Sequence, residues 1–418
     1  MEGITVMTHP GMDRRHFLYS AAAGVGLAAA LQGAASQAES ASAKNAYHRW
    51  IHGLGGDDPA ATAAEMKACG FERVVANGEA AIEAINGAGM EAWMCGGGFS
   101  LIRNEDALRS RDIFGQPQDW FGSGSPCCDE IREASLESYR KMAQTPGVKG
   151  ILVDGVRFAS PASGLLPFLT DFSGHAERRA RELDMDFALM KRDVTKLHDL
   201  LTGSGLADAA VRFGSAAPTA WLEELGRLPG LLEWLRFRRV CTTAHFRALS
   251  EIIHGAGLRM GVYIFTPCLA PLVGQSYEDL KSFVGVFAPM IYRNYPDHPG
   301  PACLNWELAE LPDVLGVSGT AGEKAVMEAV LNLTGFAGLM DAPSVEAVKK
   351  ALPPQAVALE TRRARALIGD EKELAPIIYI DDPLMAETAA GVRAAGADGV
   401  NFFVYKDQWK EMTAPALH

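Results

Sequence analysis

The feature that most constrains the fold of this chain is an eightfold alternation of short apolar runs with amphipathic helices after residue 45. Each unit has an apolar run that predicts a strand, a polar turn and a helix that ends near a glycine. Most of the runs are continuously apolar, which is typical of parallel strands buried on both faces. The runs are YHRWIHGLG, FERVVANG, MEAWMCGGGF, VKGILVDGVRF, LRMGVYIFTP, VGVFAPMIY, APIIYIDD and ADGVNFFVY.

Eight such units favour a closed (β/α)8 barrel, a TIM barrel, over an open doubly wound sheet. Nucleotide binding has no support, because no G-x-G-x-x-G follows a predicted strand and no Walker-type loop is present. We expect one barrel domain over residues 45–418, with its function at the carboxyl ends of the strands. The predicted strands and strand ends carry His48 and His52, Trp93, Asp154 and Arg157, Tyr292 and Arg293, Asp381 and Asp382, and Tyr405 and Lys406.

Residues 1–44 predict an export signal and a short linker. Arg14 and Arg15 precede a Phe-Leu pair and an uncharged Ala/Gly/Leu run, and small residues that suit a signal peptidase follow. An amphipathic first helix is the alternative, but the run lacks charge, so we predict a twin-arginine signal cleaved between Ser36 and Lys44. The run falls short of the ~20 strongly apolar residues of a membrane span. We therefore predict a periplasmic or secreted protein that uses the twin-arginine export machinery and keeps no stable membrane anchor.

Charge and cysteine content argue against other classes of protein. The net charge of −12 is spread along the chain, and no basic stripe with interleaved aromatic residues is present, so we expect no nucleic-acid partner. The seven cysteines are odd in number and scattered, without a C-x-x-C motif, which argues against a disulfide framework. No cofactor motif stands out, and we expect no cofactor.

Carboxylates at the strand ends are the candidates for chemistry. Glycoside hydrolysis uses two carboxyl groups across a cleft, one as acid and the other as nucleophile or base. Asp154 ends the fourth predicted strand, and Arg157 would hold it ionised, although a structural Asp–Arg pair is the alternative. Asp381 and Asp382 are candidates for the second group, although their Asp-Asp-Pro sequence also suits a helix N-cap. Glu307 is more typical of a helix face.

Aromatic residues are candidates for stacking on sugar rings. Trp120 and Phe121 lie together in the long third loop, where exposed aromatic residues are typical of a binding surface. A single tryptophan elsewhere is more often a core residue. The substrate-binding residues that we predict are Arg157, His52, Trp93, Trp120, Tyr292, Trp306 and Tyr405.

Metal binding is a rival chemistry. His48 and His52 could join the aspartates of the seventh strand as ligands, but residues four apart on a strand stand ~13 Å apart. One metal ion could hardly bind both histidines. We expect no metal and keep a metal-dependent hydrolase or isomerase as a minor alternative.

The stretch GILVDGVRF resembles the D-Y-[IV]-R-[YF]-P signature of the glycoside-hydrolase-like (β/α)8 barrels of bacteria. Three further stretches between residues 120 and 300 are similar to that family: SPCCDEIREASLESYRKMA, LEWLRFRRVCTTAHFRAL and VGQSYEDLKSFVGVFAPMIY. The resemblance implies a (β/α)8 fold, with Asp154 and Arg157 at the signature's acidic and basic positions. Gly155 replaces its tyrosine and Ala159 its proline.

Residues and resemblance together predict an exported glycoside hydrolase with a poly- or oligosaccharide substrate. Asp154 and one of the strand-seven aspartates would supply carboxylate acid/base or nucleophile chemistry at the carboxyl face of the barrel. A carbohydrate-binding barrel without catalysis is the alternative, and the position of the second carboxylate distinguishes the two.

Overall fold

The computed structural model of the protein describes residues 47–203, 206, 209–211, 218–296 and 302–417. Eight parallel strands form a closed barrel, in which the eighth strand pairs with the first and the seventh pairs with the sixth. The predicted (β/α)8 fold is confirmed, and each of the eight apolar runs contains one strand. The strands are β1 His48–His52, β2 Arg73–Val75, β3 Glu91–Gly96, β4 Val148–Val153, β5 Arg259–Phe265, β6 Val286–Met290, β7 Ile377–Tyr379 and β8 Gly399–Phe403.

Two short pairings supplement the barrel. Glu373–Leu374 pairs with the start of β6 and leads into β7. In the long loop after β3, Ser110–Arg111 pairs with Pro117–Gln118 in an antiparallel ribbon. This loop carries Trp120, so the ribbon fixes part of the segment that reaches the site.

The helices between the strands begin and end largely where the sequence predicts. Asp58 caps the first helix by accepting hydrogen bonds from the backbone nitrogens of Ala60 and Ala61. Gly257 has φ +73° just after the long helix ends, a conformation that favours glycine. The helices are α1 Pro59–Ala68, α2 Glu79–Gly87, α3 Asp129–Met142, α4 Leu165–Phe168, α5 Gly174–Glu182, α6 Phe187–Thr202, α7 Pro218–Arg227, α8 Pro229–Gly255, α9 Tyr277–Leu280, α10 Leu304–Val314, α11 Glu323–Thr334, α12 Val345–Lys350, α13 Pro354–Ile368, α14 Met385–Ala394 and α15 Trp409–Thr413.

Two tryptophans and a ring of charges fill the amino-terminal end of the barrel. The rings of Trp50 and Trp93 are 4.9 Å apart, and both side chains are buried. Arg73 forms salt bridges with Glu91, at 2.8 Å, and with Glu373. These charges lie at the starts of the strands, so this end of the barrel is closed by packing and ion pairs.

A second apolar cluster lies outside the barrel and holds the loops that follow β4 and β5. Its centre is the buried Arg238 of α8, whose guanidinium carbon is 3.8 Å from the ring centroid of Trp234. Arg238 donates to the backbone oxygens of Leu272 at 2.6 Å and Thr170 at 2.5 Å. A buried cation without a carboxylate partner needs such acceptors. Arg238 therefore fixes the β4 and β5 loops to one helix.

None of the helices in the described part of the chain is both long and apolar enough to cross a membrane. The predicted twin-arginine signal and the boundary at residue 44 lie outside the described residues. Both stay predictions.

Candidate active site

Asp154 lies directly after β4, at the carboxyl end of the barrel. Its backbone nitrogen donates to the oxygen of Gly96 at 2.8 Å, which continues the pairing with β3. Its side chain accepts a hydrogen bond of 2.7 Å from the backbone nitrogen of Gly155. Gly155 has φ +67°, and a Cβ on Gly98 would lie 2.5 Å from the Gly155 backbone. The positive φ of Gly155, whose Cβ would lie 3.2 Å from the Gly98 nitrogen, thus explains a glycine where the resembling signature has tyrosine.

Burial dominates the electrostatics of this carboxyl group. It raises the pKa of Asp154, and the nearby Arg157 and the Gly155 N–H lower the pKa by less. Arg157 acts in the direction that we predicted, towards the ionised form of Asp154, but loss of hydration outweighs the arginine and the net shift of the pKa is upward. A raised pKa makes Asp154 hold its proton more tightly than an ordinary aspartate, which is the direction that a proton donor requires.

A thiol and three phenols surround Asp154. Burial is the main reason why the pKa values of these four groups are raised, and the Asp154 charge raises each of them further. Asp154 therefore lies within electrostatic range of side chains from several elements of the barrel. The four residues are Cys95 of β3, Tyr139 of α3, Tyr263 of β5 and Tyr292 after β6.

Arg157 lies beside Asp154 without forming the structural ion pair that we considered as an alternative. Its Nη1 donates to the backbone oxygen of Phe158 at 3.2 Å. Its guanidinium carbon is 4.7 Å from the ring centroid of Trp120 and 4.8 Å from that of Phe265. The structure thus brings the predicted residues Arg157 and Trp120 together, with Trp120 buried against the cation.

Glu307 at the start of α10 fixes the loop that follows Arg157. Its carboxylate accepts hydrogen bonds from the Ser160 hydroxyl at 2.7 Å and from the Ala162 backbone nitrogen at 2.9 Å. Burial raises its pKa, while these two donors and the Arg157 charge lower it. Because both oxygens are occupied, Glu307 positions the loop.

His52 at the end of β1 belongs to a polar network inside the barrel. Its Nδ1 is 2.9 Å from the Tyr263 hydroxyl, which also accepts from Asn401 Nδ2 at 3.2 Å. The His52 ring lies 5.1 Å from that of Phe403. Burial lowers the pKa of His52 to about 4. At neutral pH this imidazole is therefore uncharged and offers one donor and one acceptor.

A row of tyrosines extends from the Asp154 side of the site towards β7. The ring centroids of Tyr292 and Tyr295 are 5.6 Å apart, and those of Tyr295 and Tyr379 are 4.8 Å apart. Lys406 donates to the Tyr379 hydroxyl at 3.0 Å and forms a salt bridge of 3.3 Å with Asp381. The predicted residues Tyr292 and Asp381 thus lie at two ends of one polar aromatic wall.

Asp382 has a different environment from its neighbour. Both of its carboxylate oxygens form hydrogen bonds with the guanidinium of Arg293, one of them at 2.8 Å. The Leu384 backbone nitrogen donates to it at 2.8 Å and the Thr388 hydroxyl at 2.7 Å. Both oxygens are saturated, so Asp382 has a structural role in the turn after β7, although the N-cap of the next helix is Leu384 and not Asp382.

The remaining predicted residues lie further from Asp154 or at the rim. Trp93 is fully buried, and its indole nitrogen is 3.3 Å from Glu91 at the start of β3, so the structure does not bring it to the carboxyl end. Trp306 donates to the Tyr295 backbone oxygen at 2.9 Å and so holds the backbone of one tyrosine of the aromatic wall. Tyr405 packs on the glycines of the loop after β1.

Sequence reasoning missed Tyr263, Asn401 and Tyr379. Each lies in a strand whose sequence is mainly apolar. The sequence pattern alone does not show whether such a side chain faces the polar interior of the barrel or belongs to the apolar core. Alternation along β5 was the only available signal, since Tyr263 and Phe265 share a face.

No group of three or more His, Cys, Asp or Glu side chains in the described ranges is arranged to hold a metal ion.

Comparison with known proteins does not assign this chain to a family. No family model matches the chain, and no curated protein matches it. Three similar solved structures share 11–13% sequence identity with this chain. The catalytic domain of β-amylase from Paenibacillus polymyxa shares 13% identity and a TM-score of 0.49, with 87% of this chain and 93% of that chain covered.

Two other solved structures are similar to this chain at a comparable level. The PgaB (BpsB) glycoside hydrolase domain from Bordetella bronchiseptica has 11% identity and a TM-score of 0.45, over 88% of this chain and 97% of that one. α-L-Fucosidase isoenzyme 2 from Paenibacillus thiaminolyticus has 11% identity and a TM-score of 0.46, over 89% of this chain and 49% of that one. The strand order itself defines the barrel of this protein, and its function has to be argued from the site.

Proposed function

We propose that this protein is a glycoside hydrolase whose acid is Asp154. The observation that carries the proposal is the environment of that carboxyl group: it lies at the carboxyl end of β4, and burial raises its pKa despite the neighbouring Arg157. A carboxyl group whose pKa is raised holds its proton more tightly, which is the direction that the proton donor of glycosidic bond cleavage needs. The glycan substrate class comes from the motif resemblance around Asp154 and from the tyrosine-rich wall beside it.

The proposed reaction transfers the Asp154 proton to the glycosidic oxygen as the bond between that oxygen and the anomeric carbon breaks. Water then supplies the hydroxyl group at the anomeric carbon and loses its second proton to a base. Asp381 is the proposed second carboxylate, because its side chain is exposed and has one ammonium partner, whereas Asp382 is saturated by Arg293 and the turn after β7.

Hydrolysis of a broad panel of glycans and aryl glycosides by the mature protein tests this proposal. We expect turnover by the native chain, a loss of at least ~100-fold in Asp154→Asn, and a loss in Asp381→Asn. Asp341→Asn is the matched control, since Asp341 is exposed. Retained turnover in a folded Asp154→Asn variant would contradict the assignment.

A non-catalytic carbohydrate-binding barrel is the second candidate. The saturation of Asp382 favours it, since one of the two carboxylates predicted for strand seven is committed to a structural role. Glycan binding by the native chain and by Asp154→Asn, with no turnover by either, would identify the binding protein. Turnover that depends on Asp154 would exclude it.

A further inference from the structure

The guanidinium of Arg157 is held firmly but is only partly hydrogen-bonded. The residue is 8% exposed, two aromatic rings lie within 4.8 Å of its guanidinium carbon, and Nη1 donates to the Phe158 oxygen. Nε and Nη2 have no hydrogen-bond partner among the described residues. Neither atom belongs to the fully buried side-chain atoms that lack a partner, so both reach solvent.

The charge of Arg157 is poorly compensated inside the site. It forms no salt bridge with any residue that the structure describes, although Glu307 and Asp154 act on it from a distance. The oxygens of Glu307 accept from Ser160 and Ala162 instead. Asp154 accepts from the Gly155 nitrogen and forms no salt bridge with Arg157. A nearly buried cation without a salt bridge is stabilised most by an anion, because the anion supplies both the opposite charge and hydrogen-bond acceptors.

Lys406, across the aromatic wall, adds a second cation to this face, although Asp381 balances it in part. Arg293 does not contribute, because Asp382 neutralises it. The net charge of −12 of the whole chain therefore does not describe this site, where the unpaired group is a guanidinium.

We propose that Arg157 binds the carboxylate of an acidic sugar through Nε and Nη2, so that the substrate is a glycan containing uronic acid. A guanidinium presents these two N–H groups in one plane, and a carboxylate accepts both at once. The nearby rings of Trp120 and Phe265 restrict the movement of the guanidinium before the ligand arrives, which reduces the entropic cost of binding. A neutral hydroxyl group could accept one hydrogen bond but would leave the charge uncompensated. This inference rests on the proposed function and specifies its substrate.

Matched sugar pairs that differ only in the carboxylate test the inference. The mature chain is titrated calorimetrically with galacturonate against galactose oligomers and with glucuronate against glucose oligomers. We expect the native protein to bind at least one acidic member about tenfold more tightly than its neutral counterpart, and the difference to shrink as salt is added. Equal binding of acidic and neutral members by the native protein, or no binding of any acidic member, would overturn the inference.

Two variants test whether the preference for acidic sugars depends on Arg157. Arg157→Gln removes the charge and is expected to abolish the preference for the acidic member, while Arg157→Lys keeps the charge, loses the planar pair of donors and is expected to keep a reduced preference. Arg362→Gln, at an exposed arginine, is the control and should keep the full preference. A full preference in Arg157→Gln would contradict the inference, and Arg157→Lys gives the test if Arg157→Gln does not fold.

The outcome is separable from that of the proposed function. Turnover of neutral glycans that depends on Asp154, without preference for acidic ones, would leave the hydrolase standing and remove the acidic substrate. Carboxylate-dependent binding through Arg157 without any turnover would support the acidic ligand and contradict the hydrolase.

Discussion

Asp154 and Arg157 lie three residues apart at the carboxyl end of the barrel, yet their side chains form no salt bridge. Asp154 accepts from the Gly155 nitrogen, and Arg157 donates to the Phe158 oxygen beneath two aromatic rings. Two opposite charges so near in sequence remain apart because each is held by its own loop backbone. The separation leaves the carboxyl group able to carry a proton and the guanidinium able to bind a ligand.

Replacing Asp154 with asparagine should not destabilise the fold at neutral pH. A raised pKa means that the folded state holds the proton more tightly than the unfolded state, so the stabilising contribution is present at low pH and lost as pH rises through the folded pKa. The neutral amide avoids this cost. We expect the urea midpoint of Asp154→Asn at pH 7 to equal or exceed that of the native chain, with Asp341→Asn unchanged. A clear fall in the midpoint would indicate that the carboxylate is a structural group.

Removing the Glu307 side chain should loosen the loop after β4. Glu307→Ala leaves the Ser160 hydroxyl and the Ala162 N–H without their partners. We expect a loss of about 1–3 kcal/mol in the free energy of unfolding, measured by urea denaturation. Glu307→Gln, which keeps one acceptor, should lose less. Equal stability of the alanine variant and the native chain would contradict the positioning role.

The two aspartates after β7 should respond differently to substitution. Asp382→Asn breaks a buried pair with Arg293 and is expected to cost about 3–5 kcal/mol of folding stability. Asp381→Asn removes only an exposed contact with Lys406 and should change stability by less than about 1 kcal/mol. Comparison of the two urea midpoints decides which aspartate is structural. The reverse order of effects would exclude Asp381 as the proposed second carboxylate.

Much of this architecture could be predicted from sequence, because parallel strands buried on both faces leave a clear apolar pattern. The position of Asp154 could be predicted as well, since a carboxylate at the end of an apolar strand is conspicuous, whereas its catalytic role stays a prediction. The partners of a side chain were harder to predict. Arg293 and Asp382 are 89 residues apart, and the balance between burial and Arg157 at Asp154 depends on the surrounding fold. Trp93 was assigned to the carboxyl end of its strand because the sequence does not reveal which end of the barrel such a ring fills.

One half-buried and one fully buried histidine, His52 and His245, should make the fold sensitive to acid. Burial lowers the pKa of His52 to about 4 and that of His245 to about 3. As pH falls below the ordinary histidine value of 6.5, the unfolded chain gains protons that the folded chain does not take up, so stability falls between pH 6.5 and pH 4. Each histidine contributes a slope of up to ~1.4 kcal/mol per pH unit.

His245 offers the cleaner test of this pH dependence. It faces Phe99, Ser135 and Arg132, and its Nε2 is 3.0 Å from the Ser135 hydroxyl. We expect His245→Gln to reduce the slope of unfolding free energy against pH between 6.5 and 4. His254→Gln, at an exposed histidine of the same helix, should leave the slope unchanged. An unchanged slope in His245→Gln would mean that this histidine takes up its proton in the folded state.

The most direct test of the central claim is the pKa of the Asp154 carboxyl group, measured by carbon-13 NMR with Asp154→Asn to assign the signal. The structure predicts a pKa above the ordinary aspartate value of 3.8, with a further rise in Arg157→Gln because the arginine lowers it. A raised pKa would support Asp154 as the acid of the proposed hydrolase. A pKa at or below 3.8 would show an aspartate that is fully ionised at neutral pH, and Asp154 could then not serve as the proton donor.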